Sequence, residues 1–189
     1  DLDNVRNVEN ITLGNATTEV VARDSLISEG ATVKIDATSI DVTNSLTFDG
    51  RAETDGAYIF TLGESSLDVS TGRGDDEFIL ESILDSADSI DGGDGTDSIQ
   101  FTDGNGADDD LNNVKNIEKI ILGDAVTSIV ATDDLLSSGA QLELDASALT
   151  IAHGLNYDAS AETDGHYLVT AGLGNDRLVL GAGDDIINM

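Results

Sequence analysis

Apolar and polar residues alternate in short runs along the chain: Ile11 with Leu13, Val33 with Ile35, Leu46 with Phe48, each run broken by Gly, Asn or Asp. A period of two puts successive side chains on opposite faces of an extended strand, so these runs predict short, closely spaced strands with one buried face. One stretch departs from the pattern. Asp24-Ser25-Leu26-Ile27-Ser28-Glu29-Gly30 has an N-cap residue, an apolar centre and a closing glycine, and predicts a single helical turn. Asp133 to Gly139 predicts another. Nothing else reads as a long helix.

The same pattern occurs twice. Residues 1–80 align with 110–189 at an offset of 109 without a gap, and 34 of the 80 positions are identical. Asn7-Val8-Glu9 returns as Asn116-Ile117-Glu118, and Glu53-Thr54-Asp55-Gly56 returns unchanged as Glu162-Thr163-Asp164-Gly165. Where the copies differ, apolar positions mostly stay apolar, as with Val33 and Leu142 or Phe48 and Tyr157. The same faces are buried twice, which marks a tandem-repeat architecture. Counterparts of residues 81–109 do not follow Met189, and Asp1 opens the chain with neither an initiator Met nor a signal-peptide pattern. A longer parent chain with further copies is therefore expected.

Each copy then turns glycine-rich. Gly92-Gly93-Asp94-Gly95-Thr96-Asp97-Ser98-Ile99-Gln100 fits every defined position of the nonapeptide G-G-x-G-x-D-x-U-x, where U is a large apolar residue. Residues 71–79 carry Gly72, Gly74, Asp76 and Phe78 at the same positions, 171–179 carry Gly172, Gly174, Asp176 and Leu178, and 180–188 carry Gly181, Gly183, Asp185 and Ile187. Two degenerate units, 62–70 and 83–91, keep the apolar position as Val69 and Ile90, and the second keeps Asp88. Alternating glycines let the backbone take positive φ and turn carbonyls toward a common point, and the Asp adds a carboxylate, a donor set suited to a hard cation. Residues after the Asp form a strand with its apolar side chain inward. Two nonapeptides thus make one coil of a parallel solenoid, and turns on one side stack. With three extra residues at 80–82, Asp76 stacks near Asp97. One coil further back, the stacking is expected to place Asp55 beneath Asp76 and Asp164 beneath Asp185, so that the repeated Glu-Thr-Asp-Gly starts the ladder.

Charge narrows the function classes. The 189 residues include 38 Asp and Glu against 8 Lys and Arg, a formal net charge of −30, which argues against nucleic acid and anionic membrane as partners. With 39% hydrophobic residues the chain still supports a core, but four Phe, three Tyr and no Trp do not favour a thick globular one. Cysteine and proline are absent, so disulfides and thiolate metal sites are excluded. No run approaches the roughly 20 apolar residues of a membrane-spanning helix.

The nonapeptides resemble the RTX repeats of large bacterial proteins exported by type I secretion, specifically over residues 62–100 and 171–188. The Asn-Val-Glu-Asn-Ile and Ala-Glu-Thr-Asp-Gly segments resemble spacers of long RTX surface proteins, including surface-layer proteins and adhesins. That resemblance implies an all-β, right-handed parallel β-solenoid with calcium in its turns. Carried over position by position, it implies calcium ligation by the carboxylates of Asp76, Asp97, Asp176 and Asp185 and by backbone carbonyls of Gly72, Gly74, Gly93, Gly95, Gly172, Gly174, Gly181 and Gly183. Glu64, Ser65, Ser66 and Leu67 replace the glycines and Asp of the first unit, which leaves the side of Leu62 and Ile83 doubtful as a calcium row. The expected organisation is a first repeat at 1–109, with spacer coils at 1–61, RTX coils at 62–100 and a junction at 101–109. A truncated second repeat at 110–189 has spacer coils at 110–170 and RTX coils at 171–188. The expected role is a calcium-dependent structural module, secreted or at the bacterial cell surface, with calcium and further copies of itself as partners.

Other motifs read as incidental. Arg73-Gly74-Asp75 matches an integrin tripeptide, but Gly74 already belongs to a nonapeptide. Asn10-Ile11-Thr12 and Asn15-Ala16-Thr17 are sequons of a composition rich in Asn and Thr. Asp91 and Asp94 lack the spacing and terminal Glu of an EF-hand. The junction triplet Asp108-Asp109-Asp110 reads as a solvated loop or a peripheral cation site. His153 and His166 face Asn44 and Ala57 in the other copy, so no repeat-wide catalytic role attaches to them. The rival class is a carbohydrate-binding or carbohydrate-modifying β-helix. Such chemistry on uronates calls for cationic groups, and Arg6 and Lys115 are the only basic pair kept in both copies, so no enzyme is expected.

Overall fold

The computed structural model describes residues 2, 4–81, 84–102, 108–125 and 127–189, with the backbone alone at 108–110. In chain order the strands are β1 (Asn10–Thr12), β2 (Thr18–Val21), β3 (Thr32–Asp36), β4 (Ser45–Asp49), β5 (Ala57–Leu62), β6 (Ser66–Ser70), β7 (Glu77–Leu80), β8 (Ser89–Asp91), β9 (Ser98–Phe101), β10 (Asp108–Asp110), β11 (Val114–Lys115), β12 (Lys119–Leu122), β13 (Thr127–Val130), β14 (Gln141–Asp145), β15 (Leu155–Asp158), β16 (His166–Thr170), β17 (Arg177–Val179) and β18 (Ile186–Asn188). Ile83, which opens a degenerate unit, lies outside the described residues, as do 103–107 of the junction and the side chains of the Asp108 to Asp110 triplet.

The strands stack as a parallel β-solenoid. One nine-stranded sheet runs its whole length in the order β1-β3-β5-β7-β9-β12-β14-β16-β18, and the opposite side is split into a five-stranded sheet, β11-β8-β6-β4-β2, and a four-stranded sheet, β10-β13-β15-β17. The split falls at the junction between copies. There the long sheet continues unbroken through Ser98 to Lys119, whereas β11 pairs back with β8 and β10 pairs forward with β13. Strand spacing follows the nonapeptides only where they occur. Ile59 pairs with Glu77, a step of two nonapeptides, and Glu77 pairs with Ser98, the same step lengthened by the insertion at 80–82. The spacer coils take longer steps, from Thr32 to Ala57 and from Thr18 to Leu46.

Alternation delivers the core as the sequence predicts. Val33, Ile35, Leu46, Phe48, Val69, Phe78, Ile90 and Ile99 are all buried, while Ile11 on the terminal strand β1 is half-buried because no coil covers its outer edge. Tyr58, Phe60 and Leu62 of β5 point inward, and Phe60 stacks on Phe78 of the next coil with ring centres 5.4 Å apart. Each such ring removes apolar area worth roughly 1.5–3 kcal/mol from water, which is how a one-coil-thick body with few aromatics holds together.

The two predicted helical turns are single 3-10 turns, Asp24–Leu26 and Asp133–Leu135. The reading of Asp24 as a cap is corrected. Arg23 occupies the cap position without a side-chain cap bond, and Asp24 Oδ1 accepts the N–H and hydroxyl of Thr54 on the next coil. Asp133 does the same for Thr163. Asn7 and Asn116, first residues of the repeated Asn-Val/Ile-Glu, both take φ of 53°, a left-handed conformation that Asn tolerates better than most residues. Among the described residues, no helix is long and apolar enough to cross a membrane.

Candidate metal sites

Asp76 and Asp97 close successive glycine turns ahead of β7 and β9, and the coils stack them. Tyr58 N–H donates to Asp76 Oδ1 (2.6 Å), Asp76 N–H donates to Asp97 Oδ1 (2.8 Å), and Asp97 N–H donates to Glu118 Oε2 (2.8 Å). Each carboxylate thus binds the backbone of the coil before it. The second oxygens, Asp76 Oδ2 and Asp97 Oδ2, are buried and have no hydrogen-bond partner. Asp76 is 1% exposed and Asp97 is fully buried. Burial pushes the Asp76 carboxyl up to about 6 and that of Asp97 up to about 8, the latter also raised by the charges of Asp76 and Glu118. Each of these two buried carboxylates has an oxygen to spare, a donor that suits a hard divalent cation, whose charge would offset theirs.

The glycines do two jobs, and positive φ is only one. Gly74, Gly93, Gly95 and Gly183 have positive φ, whereas Gly72, Gly172, Gly174 and Gly181 do not, contrary to expectation. Close approach constrains these others. At Gly95 both reasons meet: φ is +150°, and a Cβ would lie 2.1 Å from the carbonyl oxygen of Gly74. The turns nest backbone against backbone, with Arg73 and Asp94 forming a parallel bridge between them. The Gly72 carbonyl accepts the Asp94 N–H within that nest.

In the second copy Asp176 Oδ1 accepts Leu155 N–H and Asp185 Oδ1 accepts Tyr167 N–H, both at 2.9 Å. Asp176 precedes β17 and Asp185 precedes β18, so adjoining nonapeptides lie on opposite sides of the solenoid, as one coil per pair requires. Both carboxylates are half-buried.

Asp55 is not beneath Asp76, and Asp164 is not beneath Asp185. Pairing of Ile59 with Glu77 puts Tyr58 level with Asp76, and pairing of Leu168 with Ile186 puts Tyr167 level with Asp185. Asp55 lies instead beside Asp24 and Glu53, and Asp164 beside Asp133 and Glu162. Acidic residues not foreseen at these sites are therefore Asp24, Glu53, Asp133, Glu162 and Glu118. The signal for the glutamates was present: Glu-Thr-Asp-Gly and Asn-Val/Ile-Glu are among the longest similarities between copies.

The incidental motifs are absorbed by packing. Arg73 pairs with Asp94 at 3.2 Å, Asp75 Oδ1 accepts Thr96 N–H, and Asn15 bonds Asp41 and Asn44. His153 sits near the surface against Asp124, and His166 Nδ1 accepts Asp184 N–H. Tyr58 and Tyr167 are core residues with no exposed surface. No family model matches the chain, and neither a curated protein nor a solved structure matches it.

Proposed function

We propose that the chain is a calcium-dependent structural repeat module of a large secreted bacterial cell-surface protein, such as a surface layer, filament or adhesin. The observation that carries this reading is the pair of stacked, buried carboxylates Asp76 and Asp97, each with an unpartnered oxygen, in a body of net charge −30. Self-repulsion opposes compaction of such a chain, and a divalent ion between coils relieves it while fixing the glycine turns. Asp76 and Asp97 would hold the ion, with neighbouring turn carbonyls completing its oxygen shell. Binding is then linked to folding. Low cytosolic calcium leaves the glycine-rich segments unfolded for export, and millimolar external calcium folds them. Parallel coils of this kind can stack on further copies of the repeat.

The test is circular dichroism of chelator-treated protein during a calcium titration, with magnesium as control. A cooperative gain of β-signal at roughly 0.1–1 mM calcium, the range of extracellular modules, is expected. Full β-structure in chelator, unchanged by calcium, overturns the reading and favours a preformed β-helix.

A further inference from the structure

The spacer coils hold a carboxylate cluster that the nonapeptides do not contribute to. One oxygen from each of Asp24, Glu53 and Asp55 lies within 4.8 Å of the others, and one from each of Asp133, Glu162 and Asp164 repeats the arrangement in the second copy. Acidic side chains gathered this closely repel one another, yet exposed clusters are common, so proximity alone decides nothing. The buried member decides it. Glu53 is 1% exposed and Glu162 2%. Glu53 Oε1 accepts the N–H groups of Thr54, Asp55 and Gly56, and Glu162 Oε1 accepts those of Thr163, Asp164 and Gly165. Three backbone donors hold each glutamate rigidly in its turn. The second oxygen, Oε2, is buried in both copies and meets no donor. A buried polar atom without a partner costs about 1–3 kcal/mol, and more when charged, so its recurrence in two copies calls for a partner.

The two aspartates stand beside that carboxylate. Asp24 Oδ1 is engaged by Thr54 and Asp133 Oδ1 by Thr163, which orients each aspartate against the turn that follows the glutamate. Asp24 comes from the 3-10 turn of one coil, and Glu53 and Asp55 come from the next, so a ligand held by all three ties successive coils together. The copies differ around the cluster, with Arg23 against Thr132 and Ser25 against Asp134, while the three acids and the threonine are unchanged.

We infer that Asp24, Glu53 and Asp55, and again Asp133, Glu162 and Asp164, form a second class of cation site, one per copy, that takes calcium between spacer coils. All of its donors are carboxylate oxygens, the chemistry of a hard divalent ion, and two of the three residues face solvent, which suits the large and adaptable shell of calcium. The inference stands apart from the glycine-turn reading, since no nonapeptide residue takes part.

The experiment counts calcium per full-length chain by equilibrium dialysis, with affinities from calorimetry. Asp24→Asn with Asp55→Asn keeps an amide oxygen for Thr54 and removes two charges from the first copy only. One ion fewer than wild type is expected, and two fewer when Asp133→Asn and Asp164→Asn are added. Glu53→Gln keeps an oxygen for the three N–H donors and replaces the other; at least tenfold weaker binding at one site is expected. An unchanged ion count in the paired variants, or an unchanged affinity in Glu53→Gln, overturns the site. If the fourfold variant loses its β-signal, the first-copy variants decide, because the second copy remains intact. Asp97→Asn, measured alongside, reports the glycine turns alone: a full count there with a reduced count in Asp24→Asn/Asp55→Asn supports this site while removing the other reading.

Discussion

Asp88 and Asp97 occupy the same position of two nonapeptides, one ahead of β8 on the five-stranded side and one ahead of β9 on the long sheet, and both are buried. Each accepts a backbone N–H from the coil before, Leu67 for Asp88 and Asp76 for Asp97. They part at the second oxygen. Asp88 Oδ2 accepts Asp85 N–H from its own turn at 2.8 Å, whereas Asp97 Oδ2 has no partner. The cause lies in the residues ahead. Where one turn has Gly93 and Gly95, the other has Leu84 and Ser86, and Leu84 is buried. With Leu84 and Ser86 the turn closes on its own aspartate, whereas with Gly93 and Gly95 it nests on its neighbour and leaves one carboxylate oxygen without a partner. The aspartate alone does not leave a carboxylate oxygen free.

The largest effect should come from the glycine that permits nesting. Gly95→Ala combines a strained φ with a Cβ 2.1 Å from a carbonyl oxygen, and is expected to destabilise the calcium-loaded protein by about 2–5 kcal/mol in urea melts. Ser86→Ala, at the matching place in the other turn, is exposed and should stay within about 0.5 kcal/mol. Comparable losses from the two variants would erase the distinction between the turns.

Removing the aspartates themselves separates structure from ligation. Asp88→Ala strands the N–H groups of Leu67 and Asp85 and should cost about 1–3 kcal/mol, with the calcium count unchanged. Asp97→Ala and Asp76→Ala should each weaken the same calcium site at least tenfold, or about 1.4 kcal/mol, by calorimetry. A lost ion in Asp88→Ala, or wild-type affinity in both of the others, breaks the comparison.

Acid provides a subtler probe in chelator. Burial raises Asp76 to about 6 and Asp97 to about 8, above the unfolded value near 3.8, so the folded protein holds more protons than the unfolded chain between these limits. The stability they contribute is complete below about pH 4 and is lost as pH rises through 6 to 8. Metal-free protein should therefore melt lower at about pH 8.5 than at about pH 5, and Asp97→Asn should flatten that trend. A metal-free midpoint that rises with pH would remove buried carboxylates as the source.

Much of this was legible because the solenoid writes its repeats into the sequence. Inward positions such as Phe48, Phe78 and Ile99 follow from alternation, and the stacking of Asp76 near Asp97 follows from the nonapeptide phase. What failed was the placement of Asp55, by three residues. A step of 18 residues back from Asp76 reaches Tyr58, which is where the coils stack, whereas Asp55 lies 21 residues back, the step that separates Asp76 from Asp97 across the insertion at 80–82. Asp24 looked like a cap because capping is a local pattern, yet its partner Thr54 lies a coil away. Glu53 was missed for the same reason: its role depends on three backbone donors that only the folded turn gathers.

The smallest effect tests whether sequence neighbours of a ligand matter at all. Asp75 stands next to Asp76 and is equally acidic, but it is exposed and its Oδ1 accepts Thr96 N–H at 2.9 Å across the stacked turns. A hydrogen bond at an exposed site contributes about 0.5–1.5 kcal/mol at most, since water replaces the lost partner. Asp75→Ala should thus lower stability by less than about 1 kcal/mol and leave calcium affinity within twofold of wild type. Equal calorimetric losses for Asp75→Ala, Asp76→Ala and Asp97→Ala would mean that calcium responds to the general negative field of the turns. The buried, unpartnered oxygens would then have no special part, and the contrast between Asp88 and Asp97 would be one of packing alone.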